Sequence, residues 1–443
     1  MKIGVVSLGC AKNLVDTEIV LGFLAEAGHE LVSDPSQAEI IIINTCGFIT
    51  EAKEESIGAI LEMAAFKEAG TCQALIVMGC LSQRYAQELW EEIPEIDAML
   101  GTNELDLVPA VIERVLLGER VLEKRDNPFN YSQPYARLST TGSHLAYLKV
   151  SEGCSHRCAF CVIPTIRGQL RSRSIESILK EAESLKAAGV KELAVIAQDT
   201  TAYGRDIGTS IVELLRRMVH LDFPWIRLLY TFPTSIGDEL LDIIAREPSM
   251  VKYIDLPLQH VSANVLRSMK RPGDFDSTVQ LIERIRERIP GVVIRSSFIV
   301  GFPGETEGDF QELLKFLEQA RLDHVGIFRY SREENSAAYH YQDQVDEKTK
   351  RRRYNEAMAL QRQISYELNR GLVGREVQVL MEYPSQESDL VMVGRHRGQA
   401  PDVDGVVYVG RGTLQPGDLV TVRITEAHAY DLVGEVVESS ESA

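Results

Sequence analysis

The sequence predicts an α/β chain in three parts. An open parallel α/β domain is expected over residues 1–118, a partial (β/α)6 barrel over 144–371 and a small antiparallel β-barrel over 372–443, with a linker at 119–143. Three observations predict this. Buried β-branched runs alternate with helical patterns in two separate series, a stretch rich in Pro, Asn, Ser and Thr divides the series, and beyond Gly374 the pattern turns to short strands broken by Gly, Pro and Asp.

In the first series, the apolar runs at 3–8, 40–43 and 74–78 read as buried strands. The helical segments between them, 13–28 and 51–70, each end at a glycine. Strand–helix–strand order implies parallel pairing with helices on the faces. The second series supplies six strands, at 146–150, 193–197, 226–230, 253–256, 292–300 and 324–328, with helices such as 174–189 and 275–289 between them. Six units suit an open barrel, because a closed eight-unit one usually takes about 250 residues. Active-site groups then belong at the strand C-terminal ends. Residues 346–371 read as one long helix carrying KTKRRR at Lys348–Arg353, a run expected to be a solvated face. VQVLMEY, LVMVGR, VVYVGR and LVTVRI complete the chain as a small β-barrel pattern.

A chain of 443 residues exceeds one hydrophobic core. Its net charge of −18 opposes a phosphate-binding surface and favours a basic partner. Seven cysteines, an odd number, do not form a secreted disulfide framework, so reduced thiols used for metal are expected. MKIGVVSLGC has too short an apolar stretch for a lipoprotein signal, and the run IIIINTCGFI cannot span a bilayer. A cytoplasmic protein without membrane association is the expectation.

Cys154-x3-Cys158-x2-Cys161 follows directly on the first strand of the second series. Three thiolates at this spacing can hold three irons of a cubane cluster, leaving the fourth iron open to a small molecule. Cys10, Cys46 and Cys80 each follow an apolar strand, in the contexts SLGC, INTC and VMGC, and a parallel sheet would bring all three to one edge. Cys72 precedes its strand and belongs at the opposite end. Gly301 and Gly304 in GFPGET make a strand-to-helix turn able to cradle a cofactor. Gln198 and Asp199, at the end of the second barrel strand, are candidate cofactor or substrate contacts. Arg167, Arg171 and Arg173 are candidate partners of a carboxylate or phosphate.

At these residues the chain resembles the methylthiotransferases of the radical S-adenosylmethionine superfamily, over nearly its full length. GCAKNLVDTE at 9–18 is similar to that family's first cluster motif, Cys46 and Cys80 match its other two ligands, and GCSHRCAFCVIPTIRG at 153–168 matches its radical motif. Phe160 matches the aromatic position that packs near the adenine, and the C-terminal barrel resembles a TRAM domain. The resemblance implies two 4Fe-4S clusters and S-adenosylmethionine. It further implies that the cluster at Cys154, Cys158 and Cys161 cleaves the cofactor to a radical that abstracts hydrogen. The other cluster supplies a sulfur that a second cofactor molecule methylates.

Two branches of the family compete, one acting on isopentenyl-adenosine in tRNA, the other on the β-carbon of an aspartate of small-subunit ribosomal protein S12 (uS12). YIDLPLQHVSANVLRSMKR, YSREENSAAY and VGRHRGQAPDVDGVVYVGR resemble the second branch, although EENSAA stands where that branch usually has EEGT. Charge points the same way. Residues 374–443 hold five Arg and no Lys against twelve Asp plus Glu, a net of −7, which disfavours tRNA and favours a basic ribosomal protein. The implied partners are uS12, an electron donor and a sulfur donor. An iron–sulfur electron carrier is the reading from a different class; it has no use for a six-unit barrel.

Overall fold

The computed structural model describes residues 1–437 except 126 and 134. The N-terminal part opens with β1 (Lys2–Ser7), α1 (Ala11–Glu26) and β2 (Glu30–Val32), followed by β3 (Ile40–Thr45) and α2 (Thr50–Glu68). Then come β4 (Ala74–Gly79), α3 (Cys80–Glu92), β5 (Ala98–Leu100), α4 (Val108–Leu116) and β6 (Val121–Glu123). All six strands are parallel, in the order β2-β1-β3-β4-β5-β6. The fully buried run Ile40–Ile43 explains the central place of β3, since a strand covered on both faces reads as continuous apolar sequence. β6 pairs with β5, so the sheet runs past the expected end of this unit at residue 118 and takes the first residues of the expected linker. Phe129 and Tyr135, further along the same segment, stack edge-on against Phe23 of α1.

The second part follows β7 (Leu145–Lys149), β8 (Ser151–Glu152), α5 (Ile163–Arg167), β9 (Arg171–Ser172), α6 (Ile175–Ala187), β10 (Glu192–Ile196) and α7 (Ile211–Met218). It continues through β11 (Trp225–Leu228), α8 (Asp238–Arg246), β12 (Tyr253–Asp255), α9 (Ala263–Ser268), α10 (Phe275–Arg288), β13 (Val293–Val300), α11 (Glu307–Ala320), β14 (His324–Arg329) and α12 (Glu347–Arg370). Parallel ladders β7-β10-β11 and β12-β13-β14 are joined by a bridge between Ile226 and Met250, making the open six-strand arc that the sequence predicts. The core lies between this arc and the outer helices, from Leu148 and Val195 to Phe298 and Phe316. No described helix is long and apolar enough to cross a membrane.

The long helix holds as read, but its basic run is not a plain solvated face. Lys350 and Arg353 are buried, and Arg353 donates to the carbonyl of Glu305 (3.1 Å).

The third part closes as a five-strand barrel, β15 (Glu376–Pro384), β16 (Val391–His396), β17 (Val407–Gly410), β18 (Leu419–Ala427) and β19 (Leu432–Val436), in the order β15-β16-β17-β19-β18. β19 escapes the sequence pattern because Gly434 interrupts it. A Cβ there would stand 2.3 Å from Val422 Cγ1, so the glycine permits the close approach of β18. The β17–β19 pair is parallel, unlike the antiparallel remainder.

The barrel is fastened to the arc by the end of β16 and by the β16–β17 loop. Arg395 reaches Glu192 of β10 (2.7 Å), which also holds Arg227 of β11 (2.6 Å). Tyr147 and Tyr253 donate to Asp402 and Asp404 (both 2.6 Å). Glu192 and Tyr253 begin their strands, so this loop seats against the N-terminal end of the arc and leaves the C-terminal end free.

Candidate active site

Both cysteine sets lie at C-terminal strand ends. In the first sheet Ser7 is level with Asn44, and Thr45 with Gly79. Cys46 and Cys80 follow immediately on β3 and β4, and Cys10 comes three residues after the end of β1. Gly9 adopts φ +90, and a Cβ on it would lie 2.7 Å from Cys46 Cβ and 3.0 Å from Cys46 Sγ. Glycine is what allows the Cys10 loop to close over Cys46. Cys80 opens α3 and is buried.

Burial raises the Cys46 thiol and pushes that of Cys80 up to about 12, against the pull of Arg167. Cys10 is exposed: the protein around it pushes its thiol up, but Lys12 and Arg167 outweigh that and the thiol lies below its ordinary value. Cys72 precedes β4, is buried, and donates to the carbonyl of Ala74 (3.1 Å), away from the other three. Cys72→Ser should leave iron per chain and turnover at the wild-type level. Loss of half the iron in that variant would move Cys72 into the ligand set.

The second set follows β7 and β8. Gly153, at φ +79, turns the chain where a Cβ would stand 2.2 Å from the carbonyl oxygen of Gln169. Cys154 then donates its N–H to the carbonyl of Gly168 (3.0 Å), which closes the loop on itself. Burial lifts the Cys154 thiol to about 11 and the Cys161 thiol to about 12. Thiols like these keep their protons until a metal takes their place. Among the described residues no three His, Cys, Asp or Glu side chains converge on one point as a single ion requires. A cubane instead asks three neighbouring thiolates for one iron each, and within each set the thiols act on one another through space, Cys10 and Cys46 on Cys80 and Cys154 and Cys158 on Cys161.

Arg167 joins the two sets. It ends α5, just beyond Cys161, and points into the first domain: its guanidinium meets Cys80 Sγ (3.3 Å), Asn13 Oδ1 (2.6 Å), Asp16 (2.8 Å) and Glu152 (3.0 Å). Lys149 completes this buried group on the same two carboxylates, and Tyr131 donates to Asp16 (2.8 Å). The resulting two cations and two anions balance. The guanidinium and ammonium hold the Glu152 carboxyl well below its ordinary range despite its burial.

Of the other predicted residues, Gln198 is half-buried, donates to Glu152 and has an Oε1 without a partner. Asp199 accepts from Thr201 N (2.9 Å) and meets His156 Nε2 (2.6 Å). Phe160, half-buried, packs against the small buried cluster that includes Ala159, Met269 and Phe302. The Gly301 turn is satisfied internally: its amide and that of Phe302 donate to Glu305, and Gly304 donates to the carbonyl of Asp343. Gly301 and Gly304 thus give the turn its shape, while their amides are already engaged. Arg173 is buried on Glu181 (2.6 Å), a structural tie that leaves it no free anion contact.

The sequence reading missed four residues. His156 stacks on Phe232 at 3.9 Å, Arg271 lies 4.3 Å from the centre of the same ring and reaches Cys158 Sγ (3.8 Å), and Lys12 sits 3.2 Å above the ring of Tyr230. Lys12 was within reach, two residues after a cluster cysteine; Tyr230 and Arg271 carry no local signal.

Comparisons with known proteins agree with this layout. Residues 148–317 match the radical SAM superfamily, residues 2–101 an uncharacterized protein family (UPF0004) and residues 373–437 the TRAM domain. The chain is 46% identical over 98% of its length to the ribosomal protein uS12 methylthiotransferase RimO of Myxococcus xanthus, 91% of which is covered. It is 47% identical over its full length to that of Solibacter usitatus, 96% of which is covered. Among solved structures, the radical S-adenosylmethionine methyltransferase TsrM from Kitasatospora setae shares the fold, with a TM-score of 0.56 at 16% identity over 74% of this chain and 72% of that one. With this identity sustained through all three parts, the chain belongs to the ribosomal protein uS12 methylthiotransferase family.

Proposed function

We propose that the chain transfers a methylthio group to the β-carbon of an aspartate of uS12. The observation that supports this most is the pairing of two three-cysteine sets at C-terminal strand ends, held to each other through Arg167. Two 4Fe-4S clusters and S-adenosylmethionine, when bound, supply the one-electron chemistry that an unactivated C–H bond requires and that no acid–base pair offers.

In this reading Cys154, Cys158 and Cys161 hold one cluster, and Cys10, Cys46 and Cys80 the other. Phe160 and Gln198 line the cofactor, and Gly301 and Gly304 shape the loop beside it. Arg167 fixes the separation of the two sets. Residues 1–118 and 144–371 act as the two cluster-bearing domains, and the barrel at 372–443 as the recognition domain. Two of that barrel's acids, Glu382 and Asp404, turn inward against Arg395 and Arg295, while Glu376, Glu387, Asp389, Asp402, Glu426 and Glu435 are exposed and keep the described surface acidic toward a basic partner. The clusters need an external electron donor and a sulfur donor, and the reduced thiols suit the cytoplasm.

The test is anaerobic turnover of reconstituted protein with uS12 and tRNA together, followed by intact mass of each. A methylthio addition on uS12 is expected. An adenosine product with unmodified uS12 would assign the chain to the tRNA-acting branch.

A further inference from the structure

We propose that Lys12 and Tyr230 form the seat for the carboxylate of the substrate aspartate, an inference that rests on the reading above. Lys12 is only 9% exposed and stands two residues from Cys10. Its ammonium lies 3.2 Å from the centre of the Tyr230 ring, and among the described residues no carboxylate pairs with it. Asp255, the acid that acts on it through space, is already held by Arg295 (3.2 Å) and by the N–H of Tyr230 (2.9 Å). The buried cations described above are treated differently: Lys149, Arg167, Arg227 and Arg395 each meet at least one carboxylate. A buried ammonium facing only an aromatic ring and a thiol is under-compensated, and it is completed by an anion from outside.

Tyr230 is prepared for that role. It follows β11 at the C-terminal end of the arc, with φ +59, a value that bulky residues avoid. Its carbonyl accepts from Thr200 N (2.9 Å) and its N–H is held by Asp255, so neighbours on both sides fix the unusual backbone. Such over-determined strain concentrates at active sites. The result is an ammonium held over the face of a phenol ring, between the Cys10 loop and the mouth of the arc.

Two donors in this arrangement suit a small planar anion. The aspartate carboxylate is bonded directly to the β-carbon, so seating it there fixes the reacting carbon beside the Cys10 set. A neutral adenine edge makes no use of the ammonium. A negatively charged sulfur carried at the Cys10 side has the same chemistry as the carboxylate, so the test must separate the two sources.

Holoenzyme and its Lys12→Met, Lys12→Arg and Tyr230→Phe variants are compared on uS12 bearing Asp or Asn at the target position. Iron per chain and the cluster EPR signals report loading. The wild type is expected to prefer Asp strongly. Lys12→Met should raise KM for the Asp substrate at least tenfold, with a smaller change in kcat, and lower the Asp-over-Asn preference at least tenfold at wild-type iron content. Lys12→Arg should recover most of the preference, and Tyr230→Phe should lose part of it. An Asp preference that survives Lys12→Met overturns the assignment. So does equal damage to Asp and Asn substrates, which would give the charge to the sulfur, or a loss of iron, which would give it to the cluster. A wild-type holoenzyme inert toward uS12 overturns the underlying reading instead, and is seen before any variant is made.

Discussion

Alanine at Cys154, Cys158 and Cys161 together should cut iron from about eight to about four per chain and abolish formation of 5′-deoxyadenosine. The expectation comes from the separation of the two triads by chain position and by strand end: Cys10, Cys46 and Cys80 draw on β1, β3 and β4, whose pairing involves nothing from the β7 loop. The first cluster therefore survives the loss of the second. The reciprocal triple variant at Cys10, Cys46 and Cys80 should also keep about four irons, but retain cofactor cleavage while losing methylthio transfer. Mössbauer spectra and product chromatography read both effects. Unchanged iron in the first variant would remove these three thiols from the ligand set.

Arg167→Met should destabilise the junction between the first two domains by about 3–5 kcal/mol, the usual consequence of removing one partner from a buried ionic group. Asp16 and Glu152 would then face Lys149 alone, leaving one negative charge buried and uncompensated. Arg167→Lys keeps the charge but loses the fork that spans Asn13, Asp16 and Cys80, so it should fall between the two. Denaturant unfolding of the three proteins measures this. A loss below about 1 kcal/mol in the methionine variant would show that the group is hydrated or relaxes, and that Arg167 does not hold the domains together.

The cysteine geometry was legible because it follows from strand direction alone. A cysteine immediately after a buried parallel strand must lie at the C-terminal edge, which placed Cys10, Cys46 and Cys80 together and Cys72 apart. The first strands of the six-unit arc were legible because both faces of β7, β10 and β11 are covered, giving unbroken apolar runs such as Leu193–Ala197, whereas β13 showed itself by alternation. β2, β5 and β6 were not: each has three residues, too few for a period to register, and β2 and β6 lie at the two edges of their sheet and are only partly buried. The long-range polar contacts were also hidden. Arg167 sits 87 residues from Cys80 and 151 from Asp16, and nothing local marks it as buried. The segment from Arg395 to Asp404 stood out by resemblance, yet its seating against Glu192, Tyr147 and Tyr253 depends on three strands far away in sequence. The Gly301 turn misled for the opposite reason. A glycine pattern shows that amides are turned inward, but not that Glu305, four residues on, already takes them.

The central claim is that this chain modifies a protein aspartate at its β-carbon with hydrogen removed there by the cofactor. The most direct test is turnover with uS12 carrying aspartate deuterated at the β-carbon. The account predicts deuterium in the released 5′-deoxyadenosine together with a methylthio group on that same aspartate. Methylthiolated uS12 accompanied by unlabelled 5′-deoxyadenosine, or labelled substrate recovered unchanged while tRNA gains the group, would contradict it.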